Sequence, residues 1–222
     1  MQLTVRDRNR LALQGDLVGS SALGVHNILC LSGDDPKNGD QPKTTVVNDI
    51  DSLTLIETAD MMRRKKQFPS GRIIEPAPKL CIGGAEIPTE GKPDPEKILI
   101  KINMGVNFFQ TQYVFDEFIL KEYMKVLEDA GILEKTFFII GLGPFASAKS
   151  AKWMDKNLFG VDVPEQIIKR LEQAQDAKKE SMNICQELIS KFKDIKGVKG
   201  IHLMGHNKEE EIAKIIQEAR KS

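Results

Sequence analysis

Short apolar runs alternate with amphipathic stretches along nearly the whole chain. Runs rich in β-branched or aromatic residues predict six strands, at 3–5, 27–31, 80–83, 108–114, 136–140 and 200–204. Stretches with helical periodicity lie between or after them, at 8–23, 52–66, 94–104, 116–130, 164–194 and 208–220. This alternation predicts βα units arranged around a parallel sheet, in one domain that spans 1–222.

Residue types that favour helix ends and loops support these boundaries. The sequence Asp-Pro-Glu at 94–96 supplies in order a capping acceptor, a first-turn proline and a favourable negative charge. Pro164 opens the long fifth helix, whose turns at 173–180 are almost wholly polar and are expected to project into solvent. The segment 32–48 has no periodicity and is predicted to be one long βα loop.

The charge balance and the composition narrow the class of protein. With 32 basic and 32 acidic residues the net charge is zero, so no overall basic field attracts nucleic acid or an anionic membrane. No apolar run approaches the roughly 20 residues that span a bilayer, and the charged residues at 6–10 speak against a signal peptide. Cys30, Cys81 and Cys185 show neither metal-ligand spacing nor a disulfide framework. We therefore expect a reducing, cytoplasmic location.

The number of strands leaves two architectures open. A closed (β/α)₈ barrel has eight strands and typically about 250 residues. This chain has 222 residues and six predicted strands, and the first strand begins almost at Met1. The pattern alone therefore allows either an incomplete barrel or an open sheet of six strands.

Polar side chains near two predicted strand ends are candidates for chemistry, because the reacting groups of barrel enzymes lie at the carboxyl ends of strands. Asp34 follows the second strand and Gly33, whose lack of a side chain lets the backbone approach a ligand. The alternative is a turn in which the aspartates bond their own backbone. Gln110 and Gln112 share one face of the fourth strand, where an amide suits a heterocycle such as a pterin or bonds neighbouring backbone.

Other polar residues have weaker local signals. Asp94 and Lys101 are seven residues apart, and this spacing puts them on one face of the third helix, either to hold an extended ligand or as solvated surface charges. His206 follows the sixth strand and could be an acid or base, or an ordinary loop residue. The sequence has no zinc-ligand set, no P-loop and no nucleophile elbow.

Five motifs in order resemble the methylenetetrahydrofolate reductase family over about 2–208. They are Thr4-Val5-Arg6-Asp7-Arg8-Asn9, Leu31-Ser32-Gly33-Asp34, Gly83-Gly84-Ala85-Glu86, Asn107-Phe108-Phe109-Gln110-Thr111-Gln112 and Gly141-Leu142-Gly143-Pro144. The resemblance implies a flavin-dependent (β/α)₈ barrel that reduces 5,10-methylenetetrahydrofolate to 5-methyltetrahydrofolate. It also implies a folate substrate, FAD (or FMN) as cofactor, NADH, NADPH or a protein as electron donor, and a homo-oligomer.

The resemblance also assigns site residues. Asp34 would stabilise the cationic iminium form of the substrate beside the flavin, and Gln112 and Lys208 would bind the folate. The positions that match flavin contacts are Gln2, Leu31, Ser32, Gly33, Asp34, Asp94 and Lys101. Four positions depart from relatives. Gln2 stands where some relatives have a flavin-contacting histidine, and Ser32 and Lys208 replace arginines. Ala148 stands where some relatives have an aromatic residue that packs on the ligand.

Aligned on these motifs, the six predicted strands correspond to strands 3–8 of the family barrel, so the first two βα units have no counterpart. In the family the first strand carries the glutamate that acts as general acid. The chain is therefore expected to be a truncated gene model whose start site is assigned too late, a fragment, or a subunit completed by another polypeptide. A non-catalytic accessory subunit that keeps the pterin and flavin surfaces is the alternative function.

Overall fold

The six predicted strands are all present in the computed structural model, which describes residues 1–88 and 93–221. The strands are β1 (Gln2–Thr4), β2 (Asn27–Leu31), β3 (Cys81–Glu86), β4 (Phe108–Tyr113), β5 (Phe137–Leu142) and β6 (Val198–Leu203). They form one sheet in the order β1-β2-β3-β4-β5-β6, which is the order of the sequence. The predicted fold class is confirmed, because six successive parallel strands joined by helices are the arrangement expected for strands 3–8 of an incomplete (β/α)₈ barrel.

Helices connect the strands and follow the last one. They are α1 (Arg10–Ala22), α2 (Ser52–Arg64), α3 (Pro95–Asn103), α4 (Glu117–Asp129), α5 (Ala148–Asn157), α6 (Glu165–Gln173), α7 (Ala177–Phe192) and α8 (Glu209–Ala219). Side-chain oxygens accept first-turn amide hydrogens at several helix starts, including those at Asn9, Asp51, Asp116, Ser147 and Asp176. Within the described residues, no helix combines the length and the apolar character needed to cross a membrane.

The predicted helix over 164–194 is wrong as a single helix, because α6 and α7 are separate. The chain is extended at Ala174, and the Asp176 side chain accepts hydrogen bonds from the amides of Lys178 and Lys179. Aspartate favours such a cap over a position inside a helix, so it starts a new helix within a polar stretch that otherwise looks continuous.

Helix α5 was not predicted from the pattern. It buries only Ala151, so it lacks the apolar stripe that identifies an amphipathic helix. Its start is fixed by a reciprocal capping box, in which Ser147 and Ser150 each accept a hydrogen bond from the other's backbone N–H.

Contacts divide the chain into two compact units, each described by itself. Unit 1 contains Met1–Ala85 and Glu96–Phe109. In unit 1 the strands β1 and β2 pair in parallel with Gln2 opposite Leu29 and Thr4 opposite Leu31. Its core is formed by side chains that are almost fully buried, including Leu13, Leu17, Leu55, Ile82 and Ile98.

Unit 2 contains Glu86–Pro95 and Gln110–Ser222, apart from the residues that are not described. The strands β5 and β6 pair in parallel, with Gly141 opposite His202 and Leu142 opposite Leu203. Its core is rich in aromatic residues, including Phe138, Phe145 and Phe192. In both units the carboxyl ends of the paired strands are in register, so the loops that follow neighbouring strands begin at one edge.

Candidate functional site

Close packing against Thr4 and Arg6 restricts the backbone of Gly33, near the start of the loop that follows β2, and so restricts the position of Asp34. Gly33 has φ +87°, and a Cβ there would lie 2.9 Å from the Cβ of Arg6 and 3.2 Å from the Cβ of Thr4. Both the conformation and the close approach therefore require glycine. Because Thr4 pairs with Leu31, this contact holds Asp34 at the carboxyl ends of β1 and β2.

An open cavity of about 420 Å³ lies beside this loop. Its lining includes Arg6, Ser32, Asp34, Lys37 and Thr44. The volume is in the range of small-molecule sites. Asp34 is exposed, so its carboxylate brings a negative charge to a cavity that also has two cationic side chains. The Asp35 side chain accepts from the amide of Lys37, so the alternative prediction of an aspartate that bonds its own backbone holds for Asp35.

Arg6 connects β1 to the loop through a small ionic cluster. Its Nε and Nη2 donate to the two carboxylate oxygens of Asp7 at 2.6 and 3.0 Å, and its Nη1 donates to the backbone oxygen of Asp34 at 2.9 Å. The hydroxyl of Thr4 also donates to Asp7 at 2.9 Å. The hydrogen bond from Arg6 and then that from Thr4 lower the pKa of Asp7, and Asp7 in turn raises the pKa of Arg6.

The far end of the same loop is anchored to the same part of unit 1. The amide of Val47 donates to the backbone oxygen of Arg6 at 2.7 Å. Arg10 donates through Nε and Nη2 to the carboxylate of Asp49 at 2.8 and 3.0 Å, and these bonds lower the pKa of Asp49 to about 2. The loop is therefore fastened at both ends, while its middle is exposed.

The structure places the other predicted flavin contacts of unit 1 at different points. Leu31 ends β2 and is half-buried, and the Ser32 hydroxyl donates to that of Ser52 at 3.2 Å. Gln2 is exposed at the amino end of β1. Lys101 lies in α3, where its Nζ donates to the backbone oxygen of Ala85 at 3.0 Å and stands 5.8 Å from the centre of the Phe109 ring. The chain brings Leu31, Ser32, Gly33 and Asp34 together in one segment, and Lys101 lies at the end of β3.

Unit 2 contains the predicted folate contact Gln112, which is half-buried near the end of β4. Its Oε1 accepts from the amide of Tyr113 at 3.0 Å, and its Nε2 donates to the backbone oxygen of Phe159 at 3.3 Å. An amide has two donor hydrogens and two lone pairs on its oxygen, so Gln112 can make one more bond of each kind. That remaining capacity is what recognition of a pterin edge requires.

Phe159 is a candidate that the sequence did not identify. Its side chain is 85% exposed, although a large apolar ring is normally buried. It lines an open cavity of about 600 Å³ with Ile87, Asp155, Leu158 and Asp162. The backbone oxygen of Phe159 accepts the hydrogen bond from Gln112, so this residue lies next to the predicted folate contact. The signal available in the sequence is the dipeptide Phe159-Gly160, in the segment between α5 and α6.

The remaining predicted residues of unit 2 are near helix starts. Asp94 is exposed and comes directly before α3. Lys208 comes directly before α8, with a side chain only 13% exposed and its Nζ 3.4 Å from the carboxylate of Glu211. Glu86 ends β3 and received no role from the sequence. It accepts a hydrogen bond from the hydroxyl of Tyr123 at 3.3 Å, and burial above all raises the pKa of Tyr123.

Comparisons with known proteins give one strong match. The methylenetetrahydrofolate reductase family matches residues 1–220. A search of curated proteins finds no match.

Several solved structures are similar to the chain at low sequence identity. One is an uncharacterized protein from Clostridium thermocellum that binds two copies of 5-methyl-5,6,7,8-tetrahydrofolic acid, at 17% identity and TM-score 0.48, over 99% of this chain and 93% of that one. A double mutant of flavocytochrome b2 with pyruvate bound is 15% identical with TM-score 0.41, over 90% of this chain and 51% of that one. A 3-keto-L-gulonate-6-phosphate decarboxylase from Vibrio cholerae O1 biovar El Tor is 11% identical with TM-score 0.36, over 100% and 97%. At these TM-scores the similarities carry no argument about function.

Proposed function

Because the chain belongs to the methylenetetrahydrofolate reductase family, we propose that it is an oxidoreductase that reduces 5,10-methylenetetrahydrofolate to 5-methyltetrahydrofolate. The observation that carries this proposal to particular residues is the position of Asp34. It is an exposed carboxylate beside an open cavity at the carboxyl ends of two parallel strands, where α/β proteins bind ligands.

The residues proposed to hold a flavin have chemistry that fits one. The hydroxyl of Ser32, the backbone of Gly33 and the carboxylate of Asp34 are side by side at one cavity and offer both donors and acceptors. Gln2, Leu31, Asp94 and Lys101 complete the proposed set, in which Lys101 supplies positive charge for a phosphate. When bound, FAD (or FMN) supplies the hydride chemistry that amino-acid side chains lack.

Asp34 is proposed to act by electrostatics. The substrate becomes a cationic iminium when its five-membered ring opens, and a fixed carboxylate beside that cation lowers its free energy. The exposed position of Asp34 suits this role, because its side chain is open to the cavity in which the cation would be bound.

The proposed folate contacts lie in unit 2. Gln112 would bind the pterin with its remaining donor and acceptor, and the exposed ring of Phe159 offers an apolar face for an aromatic part of the substrate. Lys208 is proposed to hold a negatively charged part of folate in exchange for its contact with Glu211. NADH, NADPH or a protein donor would reduce the flavin.

The test separates the two half-reactions in the purified chain. Flavin uptake is measured by its visible spectrum, flavin reduction by anaerobic mixing with NADH or NADPH, and reoxidation by adding 5,10-methylenetetrahydrofolate. We expect Asp34→Asn to slow reoxidation by about 10²-fold or more, and to leave flavin reduction within about twofold. The matched control is Asp40→Asn, which removes another exposed aspartate of the same loop.

Equal slowing of both half-reactions by Asp34→Asn would contradict the role given to this carboxylate. A colourless but well-folded oligomer would instead support the accessory-subunit alternative. The same preparation gives the oligomeric state by light scattering, which tests the expected homo-oligomer.

A further inference from the structure

We propose that Arg6 is a positioning residue for Asp34, and that the Thr4–Arg6–Asp7 cluster sets where the Asp34 carboxylate stands. This inference rests on the proposed function of Asp34. Its basis is the set of contacts by which Arg6 holds the loop at 32–48.

The first step is that the guanidinium is itself held in one orientation. Asp7 binds Nε and Nη2 with both carboxylate oxygens, which is the planar two-point arrangement that fixes an arginine most firmly. Thr4 donates to the same carboxylate from the last position of β1. The fork of Arg6 is thus oriented by Asp7, which is itself bound by the last residue of β1.

The second step is how Arg6 binds Asp34. Its Nη1 donates to the backbone oxygen of Asp34, and the carboxylate of Asp34 lines the cavity. Arginine therefore fixes the main chain of the residue whose side chain is proposed to face the substrate. Asp7 accepts hydrogen bonds from two N–H groups of Arg6, so most of the hydrogen bonds that the guanidinium donates go to Asp7 and not to Asp34.

The third step is that Arg6 contacts both ends of the loop. Its Cβ lies where a side chain at position 33 would stand, and its backbone oxygen accepts from Val47. A change at Arg6 therefore alters the path of the loop on either side of Asp34. A displacement of about 1 Å in a reacting group costs about 10²-fold in rate.

A contribution to folding stability is a weak alternative explanation for the Thr4–Arg6–Asp7 cluster. The side chains of Arg6 and Asp7 are 29% and 40% exposed, and ion pairs with this exposure contribute little to folding. A cluster of four hydrogen bonds among Thr4, Arg6, Asp7 and Asp34 is better explained by what it orients.

The experiment compares Arg6→Gln with Arg8→Gln in the full chain. Arg8 is two residues away and pairs with Asp16 of α1, so its removal is the matched control. We expect Arg6→Gln to slow reoxidation of the reduced flavin by folate about 10²-fold through kcat, with flavin reduction within about twofold. The loop at 32–40 should exchange its amide hydrogens faster in Arg6→Gln and at the wild-type rate in Arg8→Gln.

A double variant separates positioning from a general structural effect. If Arg6 acts through Asp34, Arg6→Gln adds less than about twofold to the slowing already caused by Asp34→Asn. Multiplied effects, or a reoxidation rate for Arg6→Gln within twofold of wild type, would overturn the proposal. If Arg6→Gln does not fold, Arg6→Lys keeps the charge without the fork and should show the same two changes at smaller size.

The outcome for Arg6 can be distinguished from the outcome for the proposed function. A wild-type chain with no folate-dependent reoxidation refutes the function, whereas the exchange comparison still tests whether Arg6 holds the loop. A wild-type chain that is active, with unchanged exchange and rate in Arg6→Gln, refutes the positioning role alone.

Discussion

Two arginine–aspartate clusters lie at opposite ends of the strands of unit 1, and they differ in burial. At the amino ends of β3 and β4, Arg63 bonds to Asp60, to Asn107 and to the backbone oxygens of Leu80 and Gly105. The side chains of Arg63 and Asp60 are 16% and 11% exposed. At the carboxyl ends of β1 and β2, the side chains of Arg6 and Asp7 are 29% and 40% exposed.

The same pair of residue types therefore stands in two different surroundings. The Arg63 cluster joins a helix to the starts of two strands, with nearly all its polar groups satisfied inside the protein. The Arg6 cluster joins a strand to a loop beside a cavity. In βα folds the amino edge of the sheet contributes to stability and the carboxyl edge carries chemistry, and the roles proposed for the two clusters follow that division.

The largest expected effect on stability is that of Asp60→Ala. The change leaves the guanidinium of Arg63, whose side chain is only 16% exposed, without its carboxylate, and we expect the free energy of unfolding to fall by about 3 kcal/mol. Urea unfolding measures it. Arg64→Ala is the matched control, because Arg64 pairs with the same carboxylate from a side chain that is 64% exposed, and should cost less than about 1 kcal/mol. Equal costs would mean that burial does not distinguish the pairs.

Gly105→Ala tests the crowding at the same cluster. Gly105 has φ +122°, and a Cβ there would lie 2.5 Å from both Cβ and Cγ of Asp60. We expect a loss of about 2 kcal/mol in urea unfolding. Gly131→Ala is the control, since Gly131 also has positive φ but no atom lies within 4 Å of its added Cβ. A Gly131 variant that loses as much would show that backbone conformation alone sets the cost.

Arg6→Gln should affect the fold much less than Asp60→Ala does. We expect Tm to change by less than about 4 °C, because the bonds of Arg6 are partly exposed. Circular dichroism on heating measures the change. A Tm as low as that of Asp60→Ala would make the Arg6 cluster a structural one and remove the contrast between the two edges.

The smallest effect concerns the outer anchor of the loop. The pKa of Asp49 is lowered from 3.8 to about 2 by Arg10, so the pair stabilises the fold above about pH 3.8 and loses this contribution as the pH falls through about 2. A carboxyl titration followed by NMR should give this value in the wild type. In Arg10→Gln the pKa should return toward 3.8, and an unchanged value would mean that Arg10 does not hold the loop.

The order of strands and helices could be predicted because most elements carry a local pattern. β2 buries consecutive apolar residues and α2 has a clear apolar face, so their boundaries follow from periodicity. α5 buries one residue and the break before α7 falls in a polar stretch, so the hydrophobic periodicity does not indicate where either helix starts. Capping side chains set both helix starts, Ser147 with Ser150 for α5 and Asp176 for α7, so the signal is only one or two residues.

Individual residues of the candidate site could be named from the sequence, but the contacts between distant residues could not. Ser32, Gly33 and Asp34 come as one segment, and the resemblance to a family marked Gln112. The bond from Arg6 to Asp34 spans 28 residues and that from Gln112 to Phe159 spans 47. Such contacts depend on strand pairing and on the path of whole loops, which a local pattern does not contain. Whether the assigned residues bind flavin and folate stays a prediction.

Gly141 and Gly143, near the end of β5, affect how substitutions at these positions should be interpreted. A Cβ at Gly141 would lie 2.5 Å from the backbone oxygen of Thr111, and one at Gly143 would collide with the backbone oxygen of Met204. Saturation mutagenesis should therefore find both positions intolerant, even of alanine. If both glycines are invariant among homologues, that invariance would reflect the close approach of neighbouring backbones. It would not be evidence for a catalytic role.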